Sequence, residues 1–82
     1  MTLPFINLNG SSPARLAEGY KIAAIALDGA LSRIAETAPN GRDYLDGYAL
    51  KQAIGEHAQR LSVLRGVITE LEALAAHCEV RR

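Results

Sequence analysis

Apolar side chains recur along most of the chain in alternating steps of three and four. Leu50, Ile54, His57, Leu61, Leu64, Ile68, Leu71, Ala75 and Cys78 keep that rhythm, and eight of the nine are apolar. Upstream, Tyr20, Ala24, Leu27, Leu31, Ile34 and Ala38 repeat it, with Leu16 and Ala23 beside them. Residues so spaced form one stripe of an α-helix and hold it against a neighbour in knobs-into-holes fashion. The pattern predicts a first helix over 12–38 and a second over 47–80. The Ser12 hydroxyl can cap the first, and Pro13 suits the first helical position, where a missing N–H is harmless. Pro39-Asn40-Gly41 ends it, because the residue before a proline disfavours the α region and Asn-Gly supplies turn geometry. Asp46, or in its place Asp43, caps the second helix, which contains no proline. The short 39–46 loop between two such helices favours an antiparallel pair. The expected fold is all-α: a coiled-coil-like two-helix hairpin in a single domain.

Residues 1–11 stand apart. Thr2-Leu3-Pro4-Phe5-Ile6-Asn7-Leu8 mixes β-branched, aromatic and leucine side chains before Asn9-Gly10 turns the chain. Pro4 argues against a central strand, since it cannot donate to a ladder. The segment reads as an extended arm that lays Leu3, Phe5, Ile6 or Leu8 on a helical surface, with pairing to a second copy as the alternative.

Some apolar side chains lie off the stripes. At about 100° per residue, Ile22 and Ile25 fall on the side of the first helix away from Leu27. Val63, Val67 and Leu74 flank the stripe of the second. One hairpin has one internal face, and a helix apolar all round is ordinarily buried all round. Ile22, Ile25, Val63, Val67 and Leu74 are therefore the expected oligomer interface, and a dimer forming a four-helix bundle is the expected assembly.

Composition narrows the function classes. Nine Lys+Arg balance nine Asp+Glu across 82 residues, so the basic footprint of a nucleic-acid or anionic-membrane binder is missing. Fourteen Ala and eleven Leu against four aromatic residues favour close-packed helices over sheets. One cysteine cannot form an internal disulfide, and no apolar run approaches the roughly 20 residues of a membrane span. These features, with no signal-peptide pattern after Met1, give a cytoplasmic protein as the expectation.

Chemistry-bearing residues are few. His57 is the polar member of its stripe: a register-setting contact, a pH-sensitive contact or a metal ligand, or else a partly exposed histidine bonded to water or loop. His77 and Cys78 are neighbours whose side chains diverge by about 100° on a helix. His57 and Cys78 share a stripe but stand roughly 31 Å apart along it, too far for a Cys–His nucleophilic pair. Cys78 reads as a small buried hydrophobe. Glu56 and Arg60, one turn apart, read as a surface ion pair. The densest polar cluster is the loop, where Asn40, Arg42, Asp43 and Tyr44 form a candidate partner-binding surface. The alternative there is local: Arg42 pairs with an acidic neighbour and Tyr44 covers the hairpin end. Nothing converges on a reaction, so no catalytic residue, metal or cofactor is expected.

Two stretches carry a resemblance. Leu8-Asn9-Gly10-Ser11-Ser12 before the first helix and Ala38-Pro39-Asn40-Gly41-Arg42-Asp43-Tyr44 after it resemble a family of small uncharacterised proteins encoded by tailed phages and bacterial prophages. After the loop tyrosine, where the family pattern has a second aromatic residue and a proline, this chain has Leu45 and Tyr48. The resemblance implies a helical hairpin in a phage-linked setting. The expected function is non-enzymatic: a self-associating assembly part or adaptor, or alternatively a small regulator that binds a host protein through the loop or the arm.

Overall fold

Ser12 begins the first helix as its chemistry suggests. Its backbone is extended, and its hydroxyl accepts the Arg15 N–H at 3.1 Å. The structure, a computed structural model, describes residues 1–6, 10 and 12–80. Helix α1 spans Pro13–Ala35, a 3-10 turn covers Gly41–Asp43, and helix α2 spans Gly47–Val80. The two helices pack side by side as an antiparallel hairpin, and no strand forms among the described residues.

Helix α1 stops three residues before the expected end at 38. Tighter bonds close it: Glu36 N–H donates to the Arg33 carbonyl at 3.2 Å, and Thr37 N–H to the Ile34 carbonyl at 2.9 Å. The Thr37 hydroxyl adds a second bond to the Ile34 carbonyl, at 2.7 Å. With two donors on one carbonyl and Pro39 just ahead, the α conformation ends there. Ala38 is thereby off the helix and exposed. Helix α2 starts as expected from Asp46, whose carboxylate accepts the Ala49 N–H at 2.7 Å.

The stripes meet along the shared length. Ala17, Ala24, Ala75 and Cys78 are buried, and Leu27, Leu31, Leu61, Leu64, Ile68 and Leu71 are half-buried. Ile54 departs from its stripe and is half exposed, and Ala23 is exposed. Ile54 lies in the first turns of α2, which has 34 residues against 23 in α1, between half-buried Leu50 and buried His57. The result is a rod with extents of 60 × 20 × 16 Å and a radius of gyration of 18.0 Å. A compact domain of this length would have about 12 Å.

The arm folds back on its own hairpin. The Pro4 carbonyl lies 2.9 Å from His77 Nε2, and since a carbonyl only accepts, Nε2 carries the proton and donates. Pro4 and Ile6 are half-buried there, whereas Leu3 and Phe5 are 48% and 85% exposed, so Phe5 is not laid on the helices as expected. Leu8 lies outside the described residues.

Candidate functional site

Every described Leu, Ile, Val, Phe and Tyr side chain keeps contact with solvent; the buried residues are three alanines, Cys78 and His57. Apolar surface is therefore the material from which any site must be built. It falls into three places: two long sides of the helix pair and the tip.

One side carries Val63 and Val67, 55% and 39% exposed. Near the tip it holds an open groove of about 330 Å³ between Ile34 of α1 and Gln59, Arg60, Val63 and Leu64 of α2. Towards the open end it holds another of about 470 Å³, lined by Arg15, Leu16, Gly19, Tyr20, Ala23 and Leu71. Gly19 has nothing within 4 Å of where a Cβ would stand, so this recess is open.

The other side carries Ile25, 73% exposed, with Ile22, 58% exposed, further round the back of α1. Its groove, of about 260 Å³, lies between Ala24, Ile25 and Asp28 of α1 and Ile68 and Glu72 of α2. The Lys21 ammonium pairs with the Glu79 carboxylate. Turning α1 about 100° from buried Ala24 one way gives Ile25 and the other way Ala23, and each residue lines a different groove. The five residues expected as one interface thus divide between opposite sides. Leu74 differs again: it is half-buried, next to buried Ala75 on α2.

At the tip, Asn40, Arg42, Asp43 and Tyr44 are all exposed. Asn40 organises the turn by accepting the Arg42 N–H on Oδ1 at 3.0 Å, and Asp43 N–H donates to its carbonyl at 2.9 Å. Arg42 makes no ion pair among the described residues, contrary to the local pairing weighed above, and Tyr44 remains 38% exposed. Leu45 is fully exposed and Tyr48 is 76% exposed beside them. Sequence pattern alone missed that pair, although an isolated leucine between two loop aspartates was visible.

The polar candidates do not converge. His57 is buried at 9% exposure without a protein hydrogen bond, and no buried side-chain nitrogen or oxygen among the described residues lacks a partner. Its ring nitrogens therefore sit at the water-facing edge of the seam. Cys78 is fully buried, and His77 is engaged by the arm. Glu56 and Arg60 form no ion pair; the described pairs are Lys21 with Glu79 and Arg33 with Glu36, the latter at 3.6 Å. Among the described residues, no group of three His, Cys, Asp or Glu side chains is placed to hold a metal ion, and no helix is long and apolar enough to cross a membrane. Comparison with protein-family models, curated proteins and solved structures finds no match to this chain.

Proposed function

We propose that the protein is a non-enzymatic helical module whose work is to associate with its own copies, forming a four-helix bundle from two hairpins. The observation that carries this reading is the burial pattern. A chain with 49% hydrophobic residues buries three alanines, Cys78 and His57 and leaves every described large aliphatic side chain at least partly wet. Packing a second hairpin against the first would supply the missing core. The motif resemblance suggests a cytoplasmic assembly part or adaptor of a phage or prophage. Sedimentation equilibrium on the full chain across the micromolar range tests the reading. A mass of twice the monomer is expected, and a monomer mass throughout would overturn it.

A second reading is supported by the tip. Leu45 and Tyr48 stand exposed beside Arg42 and Asp43, an apolar pair rimmed by charge such as protein partners engage. On this reading the module is a regulator that binds a host protein through its loop. Affinity capture from the native cell with wild type and a Leu45→Ser, Tyr48→Ser variant tests it. Loss of one specific partner with self-association intact is expected, and an unchanged set of captured proteins would overturn it.

A further inference from the structure

We infer that the second copy docks on the side of the hairpin that carries Val63 and Val67, and not on the side that carries Ile22 and Ile25; this rests on the self-association proposed above. The chain exposes 6155 Å². A compact monomer of its mass would expose about 4,800 Å². The excess, about 1,400 Å² per chain, is larger than the roughly 800 Å² that each partner contributes to a stable interface of standard size. One further copy is thus an occupant of the right size.

Chemistry chooses the side. The Val63 side offers two open recesses, one with Ile34, Val63 and Leu64 near the tip and one with Leu16, Tyr20 and Leu71 towards the open end. The charged residues lining the two recesses are Arg15 and Arg60, whose long stems can cover apolar surface while their heads reach water, and Glu70, one turn after Val67 on the same face, is exposed outside both recesses. The Ile25 side would instead have to bury Asp28 and Glu72, which line the same small groove, next to the Lys21–Glu79 pair. Two-fold docking on either side gathers like charges, but Asp28 and Glu72 line one small groove, whereas Arg60 and Arg15 line separate recesses and carry their charges on long stems, so desolvation opposes association more on the Ile25 side. Ile22 and Ile25 then remain as exposed residues on a mostly charged side, which an ordinary surface tolerates.

Three variants of the full chain, each checked for helicity by circular dichroism, decide the matter by sedimentation equilibrium. Val63→Glu with Val67→Glu is expected to weaken the dimer by about 100-fold or more. Ile22→Glu with Ile25→Glu is expected to change it by less than about threefold, since those side chains stay in water. A Cβ at Gly19 would meet no atom within 4 Å, so Gly19→Leu can extend into the open-end recess from an exposed helical position and is also expected to weaken the dimer. It carries the test if the double glutamate variant loses helicity. A wild-type dimer that resists both the valine and the glycine substitutions, or that is broken by Ile22→Glu with Ile25→Glu, overturns the assigned side while leaving self-association standing. A wild-type monomer overturns self-association itself and the docking side with it.

Discussion

The two ends of the rod are built differently. At the open end, Ala17 and Ala24 of α1 and Ala75 and Cys78 of α2 are 4%, 7%, 3% and 0% exposed, the arm is tied by His77, and Lys21 pairs with Glu79. At the tip, Leu45, Tyr48 and Ile54 are 104%, 76% and 50% exposed, and the chain is ordered by local bonds from Asn40 and Asp46. Small side chains let the two backbones approach at the open end, so ordering there comes from packing. Helix α2 is eleven residues longer than α1, and at its start capping and turn chemistry add to the ordering that buried His57 and half-buried Leu50 supply. The difference teaches that a regular stripe is not packed evenly along its length: it is closest where small residues face each other, and towards the tip it leaves Ile54 half exposed beside buried His57.

The strongest way to break this contrast is to place a charge in each end. Cys78→Asp puts a carboxylate where nothing is exposed and no cation is positioned to meet it, and should cost about 3–5 kcal/mol in urea unfolding. Ile54→Asp, with half its surface already in water, should cost less than about 1 kcal/mol. Equal costs would show that the ends are equally packed.

A milder pair truncates leucines on the same stripe. Leu71→Ala, in the shared length, should cost about 2 kcal/mol, the low end for a leucine truncation because the side chain is half-buried. Leu50→Ala, which lies against the turn at Gly41 through Cδ2, should cost about 1 kcal/mol. If Leu50 proves the costlier, the turn and not the second helix is the main support of α2 at that end.

Smaller still are the single hydrogen bonds that fasten each end. His77→Ala removes the donor to the Pro4 carbonyl and should cost about 1 kcal/mol while raising amide exchange in residues 2–6. Asp46→Ala removes the cap of α2 and should cost about 1 kcal/mol, with added exchange confined to the first turn after Gly47. Exchange that spreads into the seam in either variant would mean that the ends are not independent.

Much of this architecture was legible in the sequence, for a physical reason. Helix type and start depend on local chemistry, so the stripes, Ser12 with Pro13, and Asp46 could be read directly. The end of α1 was harder, because Thr37 folds its hydroxyl back on the Ile34 carbonyl and Pro39 alone does not mark that point. The outward apolar residues were also visible: Ile22, Ile25, Val63 and Val67 are exposed. What periodicity on separate helices does not carry is how the two helices are turned towards each other. That rotation sends Ile25 to one groove and Val63 to the opposite one, and it separates a set that looked like a single face. That the arm would lie on a helical surface was legible from its apolar residues, but where it is tied was not. A bond between residues 73 positions apart, from His77 to Pro4, leaves no local signature.

The smallest expected effect is the most discriminating for the tip. Leu45 has no side-chain surface removed from water within the hairpin, and it follows an extended Tyr44 and precedes the Asp46 cap. Leu45→Ser removes no packing and leaves both flanking turn bonds in place, so the thermal midpoint should stay within about 3 °C of wild type. A larger drop, growing with protein concentration, would mean that copies cover Leu45 on each other and that the tip takes part in self-association. An unchanged midpoint at every concentration leaves Leu45 exposed in the assembled protein as well. That outcome excludes Leu45 from any contact between copies, as the proposed docking on the Val63 side requires.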